Sequence, residues 1–518
     1  GAFAAVLAAG YATASQPAAQ PVQNPQNVLV IPGVNEFLPL SAAPEIVLGL
    51  LIGLVVHEGG HGLLCRVEDI DIDSMGLALF TIIPVGAFVE PDERSRALAN
   101  RGSQMRMFAA GVTNNFAITA IAFVLLFGPL AGSITVVSGV PVGDALPGSA
   151  AAEAGIGHGD VITAVDGQPV ANATEFERAL AAADSREVTL QRRNAGPVTV
   201  NRTLMITRAV PGVVEGIDLA GDAPPHVLAV NGTAVGTEAA FERELSTRSV
   251  AQIETDRGTA VIRVGAYVAR VTEGGPLAKS GAPTDGTALI VTGIDGRSVH
   301  SADSLATVLD DYEPGDTVAV TAYAGGKQRT YNVTLGQQED GSALLGVVMR
   351  RGTSGITVDA VGVEPYPADG FLRILGGGDG LLGGLTDGSI FQQIRFVLVL
   401  PFMSAIDPTT SFNFAGFSGP VANFYEATGP LSVLGGWVLT LANVAFWTGW
   451  INLQLGLFNC IPTFPLDGGH LLRTSIESVV ARVPIEDRQA LTTAVTGAVT
   501  ITMLAGLVVM IFGPQLLS

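Results

Sequence analysis

The sequence predicts a multi-pass α-helical membrane protein with a large β-rich insertion, an α+β architecture. Three observations carry that prediction. Hydrophobic residues make up 48% of the 518 residues, charged residues only 14%, and mean hydropathy is +0.44. That composition belongs to chains that bury apolar surface in lipid. Uncharged apolar runs close to the ~20 residues of a membrane-crossing helix occur towards both ends of the chain. Between them, residues 135–350 change to short strand-like runs punctuated by Gly and Asp.

The charge balance narrows the setting. Asp and Glu number 47 against 27 Lys and Arg, a net charge of -20, and the only lysines are Lys279 and Lys327. An acid-rich, lysine-poor chain points to a high-salt organism, a halophilic archaeon, because carboxylates hold water well. The acidity excludes a nucleic-acid partner, which calls for a basic face. Cys65 and Cys460 both lie in apolar segments. Two cysteines make no disulfide framework, and both read as small buried hydrophobes. The first residue is Gly1, so an upstream segment is expected to have been removed, with residues 1–10 the tail of a helix or signal.

In chain order, residues 1–40 are rich in Ala, Gln, Pro and Asn and read as a loop. Residues 44–65, PEIVLGLLIGLVVHEGGHGLLC, form the first span. Near its end His57, Glu58 and His61 make the pattern H-E-x-x-H. Residues four apart share a helix face, so His57 and His61 can offer two imidazole nitrogens to one metal ion. Glu58, one residue round, can face water bound to that metal as a base. Ionisable groups inside a bilayer are costly and mark function. Residues 75–91, MGLALFTIIPVGAFVEP, are too broken for a span and read as a hairpin or re-entrant loop. Residues 107–132, 431–461 and 492–513 are further uncharged spans. Residues 391–406, with Gln392, Gln393 and Arg395, read as an interfacial helix. The Gly-rich stretch 376–388 closes a connector, 351–388.

The insertion carries a repeat. Val165-Asp166-Gly167, Val230-Asn231-Gly232 and Ile294-Asp295-Gly296 are turn tripeptides, each followed by a helical stretch. They place modules at 135–204, 205–265 and 266–350. PGSAAAEAGIGHGDVITAVDGQPV in the first and GGPLAKSGAPTDGTALIVTGIDGRSV in the third resemble a PDZ domain of the kind attached to membrane and secreted proteases. The middle module keeps only the later half, PHVLAVNGTAVGTEAAFERELS. The resemblance implies binding of extended peptides by strand addition. It also keeps open a non-catalytic alternative, a membrane scaffold that binds peptides through these domains.

A second polar element follows the third span. In NCIPTFPLDGGH, Asn459 to His470, the prolines stop the helix and Asp467 follows at once. Asp467 can be the third ligand that a two-histidine zinc site needs, or the N-cap of the next helix. Taken together, HEGGH at His57, Glu58 and His61, and Asn459, Pro462, Leu466, Asp467 and Gly468 as N-x-x-P-x-x-x-L-D-G, resemble the site-2 protease family. Gly111 to Asn115 resembles that family's G-x-x-x-N, with Val112 where Pro is common, and GFSGPVANF resembles a segment before the last core helix. The resemblance implies a multi-pass α-helical membrane protein with inserted β-rich PDZ-like domains, its catalytic halves at 41–134 and 389–518. It implies one Zn2+ per chain on His57, His61 and Asp467, and Glu58 as the general base. Asn115, Asn459, Pro462 and Gly86 of the re-entrant hairpin are then expected against the substrate, and His470 near but not on the metal. Expected partners are single-pass membrane protein substrates and the lipid bilayer. Arg66, Arg94, Arg96, Arg101 and Arg106 flank the first inter-span turn, and Arg473, Arg482 and Arg488 the last. Arg-rich short loops stay cytoplasmic, which puts the site near the cytoplasmic face and the repeats outside.

Overall fold

The structure, a computed structural model, describes residues 31–517 apart from 36–37, 81–82, 184, 211, 213, 339, 377–389, 407–410, 483 and 485–486. The readings of residues 1–30 and of the Gly-rich stretch from 377 onward lie outside the described residues. The chain divides into two units, Gly1–Val137 with Pro367–Ser518, and Ser138–Tyr366.

The first unit is a helical bundle. Helix α1, Ala43–Val67, has Pro in its first turn, Glu45 at its positive end and Arg66 at its negative end. A hairpin follows, β1 Ile72–Phe80 and β2 Ile83–Pro91, in antiparallel register with Met75 opposite Val89. The short helix α2, Glu93–Leu98, is capped by Asp92, whose carboxylate accepts from the Ser95 amide. Helix α3, Arg101–Leu125, continues through further turns to Ser133 and leads into strand β3, Ile134–Val136. Glu68 at the end of α1 pairs with Arg106 and Ser103 of α3, and these two donors hold its carboxyl at about 2. After the second unit, strand β4, Tyr425–Ala427, pairs with β3. Then come α4 Trp437–Asn459, α5 Asp467–Val480 and α6 Arg488–Leu517.

Three helical stretches among the described residues are long and apolar enough to cross a membrane: Leu40–Val67, Arg101–Ser133 and Arg488–Val509. They carry exposed apolar side chains, among them Val55, Ile121 and Ile501, which suit contact with lipid tails. The span expected over 431–461 is different. Helix α4 is 23 residues, about 35 Å, but its polar residues keep it out of that group. It packs against both α1 and α3, and several of its polar groups are satisfied by protein. Asn443 accepts from the Phe417 amide, and the Trp447 and Trp450 indoles donate to the carbonyls of Ala415 and Leu398. The stretch 391–406 is a ten-residue helix, Ile390–Val399, and a four-residue one, Met403–Ile406, separated by Leu400–Phe402 with Pro401.

The second unit holds three β-rich modules, each with its own apolar core. The three turn tripeptides do the same work in each. Asp166, Asn231 and Asp295 all sit at φ near +50°, followed by a Gly at φ near +80°, the left-handed pair that a two-residue hairpin demands. Each side chain then accepts from a backbone amide of the neighbouring strand in the sheet, Thr189, Gln252 or Ala319. A helix follows each hairpin: Ala173–Ala182, Glu238–Ser246 and Ala302–Leu309.

The connector expected over 351–388 is folded over its first part. Strand Ile356–Asp359 pairs with Met205–Ala209, and Val363–Pro365 joins the first module's sheet beside Val140–Ala145. Val361 and Val363 enter the first module's core, and Ile356 and Ala360 the middle one's. These strands are short and their partners lie more than a hundred residues upstream, so local composition conceals them.

Candidate metal centre

Three elements of the first unit build the site. Helix α1 places His57 and His61 one turn apart, 8% and 9% exposed. Helix α5 begins at Asp467 itself. Its N-cap is Leu466, with no capping side chain, so the Asp467 carboxylate is not spent on the helix end and turns to the imidazoles. Gly468 and Gly469 allow that approach: a Cβ on either would lie 2.4–2.6 Å from the backbone of Ile461 or Thr463. Helix α3 backs the pair with Gly111, where a Cβ would lie 2.6 Å from His57 Cε1 and His61 Nε2.

The three ligand atoms form a nearly regular triangle. His57 Nε2 is 3.1 Å and His61 Nε2 3.3 Å from Asp467 Oδ2, and the two nitrogens are 3.2 Å apart. A tetrahedral ion with bonds of ~2.0–2.1 Å has ligand edges of about 3.3–3.4 Å. Asp467 Oδ2 is buried without a hydrogen-bond partner, an atom left for something else to satisfy. The imidazoles are turned to suit. His61 Nδ1 lies 2.8 Å from the Met107 carbonyl, which can only accept, so Nδ1 carries the proton and Nε2 offers its lone pair. His57 Nδ1 lies 3.1 Å from the Asn115 amide nitrogen, while Asn115 Oδ1 is buried and unpartnered. Turning that amide end for end lets Oδ1 accept from His57 Nδ1–H and gives both histidines the same tautomer. The residues present therefore fit a divalent zinc-type ion, with two neutral imidazoles and a carboxylate.

Glu58 lies beside this triangle with Oε2 accepting from the Val89 amide of β2 at 2.9 Å. A cavity of about 280 Å³ opens on the group, lined also by Arg96, Phe108, Asn459, Pro465 and His470. His470 is not a fourth ligand here. Its ring stacks on Phe108 at 4.5 Å and meets Phe464 edge-on at 4.9 Å.

Three residues expected against the substrate stand outside the cavity lining. Asn115 is fully buried, with its side-chain amide against His57. Pro462 is not in the cavity lining, where Pro465 stands instead. Gly86 pairs with Ala78, three residues or roughly 10 Å along β2 from Val89, which with Pro91 reaches the site. Asn459 does line the cavity, its Nδ2 donating to the Leu455 carbonyl. The Val89 amide and the Met107 carbonyl went unforeseen, because backbone groups carry no residue-type signal.

A model of Peptidase family M50 matches residues 45–504 of this sequence. The Serine protease PepD of Mycobacterium tuberculosis is 37% identical over 89 residues. Those residues are 17% of this chain, which spans only 18% of the length of that relative. The crystal structure of the PDZ domain of the SdrC-like protein from Listeria monocytogenes matches at 23% identity and a TM-score of 0.15. That match covers 16% of this chain and 86% of the other.

Proposed function

This chain belongs to Peptidase family M50, a metallopeptidase family, and on that premise we propose that it is a zinc-dependent intramembrane endopeptidase. Its proposed substrates are single-pass membrane proteins, cut within or beside their membrane segments. The observation that carries this reading is the triangle of His57, His61 and Asp467 with Glu58 at its side, set in a bundle with three candidate spans.

His57, His61 and Asp467 would hold the zinc, which would supply Lewis acidity towards a scissile carbonyl and the attacking water. The remaining chemistry belongs to the chain. Glu58 takes a proton from the attacking water as its oxygen bonds to the carbonyl carbon. It returns that proton to the amine nitrogen as the C–N bond breaks. Asn115 and the Met107 carbonyl keep both imidazoles in the liganding tautomer. Asn459, at the cavity wall, is the remaining side chain suited to the substrate backbone. A helical substrate hides its amides in its own hydrogen bonds and must unwind first. The β1–β2 hairpin offers freed backbone new partners by strand addition. The repeated hairpin-and-helix modules of the second unit support PDZ-like peptide binding that gates access.

The test is a pair of variants. His57→Ala should lose stoichiometric zinc in detergent. Glu58→Gln should keep one zinc per chain and lose hydrolysis by roughly 10²- to 10⁴-fold, since Gln cannot take the proton. The substrate is the membrane protein whose cleavage fragment disappears in cells carrying Glu58→Gln. Zinc retained by His57→Ala, or near-normal turnover by Glu58→Gln, refutes the assignment.

A further inference from the structure

A second cavity, also about 280 Å³, opens where α3 and α6 begin and α5 ends. Arg101, Arg473 and Arg488 reach it from three different helices, with Thr492 on α6 and an apolar wall of Val480 and Ala481. Arg473 is already paired, its Nε donating to Glu477 at 3.1 Å. Arg101 and Arg488 have no acidic partner among the described residues, and with Glu477 also in the lining the cavity's three arginines leave that lining a net charge of +2. These two arginines are also the first residues of two candidate membrane spans. The cavity therefore lies where hydrocarbon gives way to head groups.

We propose that this cavity binds the phosphate of an anionic lipid head group. Guanidinium forks match phosphate oxygens two at a time, and basic pockets between membrane helices hold such head groups. The apolar wall separates this from a site for free phosphate, which needs polar partners on every side. Val480 and Ala481 instead suit the glycerol and upper acyl carbons below a head group. A phosphate gripped by Arg101 and Arg488 ties α3 to α6 across α5, which packs on both. Arg473 is six residues, about 9 Å, along α5 from Asp467, so the lipid braces the helix that brings the third metal ligand.

The test uses the full chain in phosphatidylcholine nanodiscs doped with phosphatidylglycerol, with retained lipid counted by native mass spectrometry. The unaltered protein should retain phosphatidylglycerol over phosphatidylcholine. Retention should fall as salt rises, and Arg101→Gln with Arg488→Gln should weaken it roughly 10- to 30-fold. Millimolar inorganic phosphate should not displace the lipid. Displacement, with phosphate also binding in lipid-free detergent, would keep the phosphate chemistry and assign it to a soluble source. Equal retention by the double variant overturns the proposal. Should that variant not fold, the unaltered protein decides: retention indifferent to head-group charge and to salt overturns it equally.

Discussion

At Gly111 a single hydrogen stands between helix α3 and both candidate histidine ligands. Gly111→Ala would put a Cβ 2.6 Å from His57 Cε1 and His61 Nε2, so the two rings or helix α3 must shift. We expect zinc affinity to fall about 10- to 100-fold, the range for losing ligand support, in a chelator-competition titration. Unchanged affinity would mean that the rings relax freely. Asn115→Ala should weaken zinc binding over the same range and leave KM for a cleaved peptide unchanged. A raised KM with normal zinc would restore Asn115 to the substrate side. The candidate ligands were legible because His57 and His61 need only a helix period to be brought together. Asp467 was visible as an acid set directly after an apolar run and two prolines. The partner of Asn115 was not, because it lies 58 residues away and its side chain points into the bundle.

The hairpin shows the same division one level up. Its existence was legible in residues 75–91, an apolar run too interrupted for a helix. Its contact with the site was not, because the link is the Val89 N–H donating to Glu58. That N–H points to α1 and not to β1, so proline at 89 removes the donor without breaking a rung of the ladder. Val89→Pro should leave zinc content intact and lower kcat by about tenfold or more, the worth of a hydrogen bond to a charged group. Normal kcat would show that Glu58 needs no such support. Helix α1 was legible as a span, but its glycines gain meaning only from neighbours. A Cβ at Gly49 would come within 3.0–3.1 Å of the Trp447 and Thr448 backbone on α4, and one at Gly60 within 3.1 Å of the Ala110 backbone on α3. These are the small residues that let membrane helices approach closely. Strands Ile356–Asp359 and Val363–Pro365 were missed for a related reason. A three- or four-residue strand is recognisable only by the sheet it completes.

Across the whole molecule, the path of the chain decides whether one metal can be shared at all. The turns at the end of α1 and before α3 and α6 carry Arg66, Arg94, Arg96, Arg482 and Arg488, a cluster that favours the cytoplasmic side. Helix α3 leaves that end and finishes at β3. Strand β4 pairs with β3, so the returning chain begins α4 at the far end of the bundle. Helix α4 then runs back to the arginine end, where Asp467 meets His57. For that path the stretch 390–406 must not cross. Its longer helix, ten residues or about 15 Å, spans half of a ~30 Å hydrocarbon core and is followed at once by Pro401. The second unit leaves the bundle after Val137 and rejoins it at Pro367, so excising 138–366 with a short linker removes whole modules and spares β3. That variant should keep zinc and change which membrane proteins are cut; identical selection would remove the gating role. The orientation has its own test, single cysteines at two exposed positions, Ser185→Cys and Arg482→Cys. Cys65 is fully buried, but it and Cys460 should first become Ala so that any label is unambiguous. With a membrane-impermeant maleimide on intact cells, Ser185→Cys should label and Arg482→Cys should label only after lysis. The opposite pattern inverts the protein in the membrane. Labelling of both before lysis means an extra crossing between the second unit and α5, and with it the loss of any common face for His57 and Asp467.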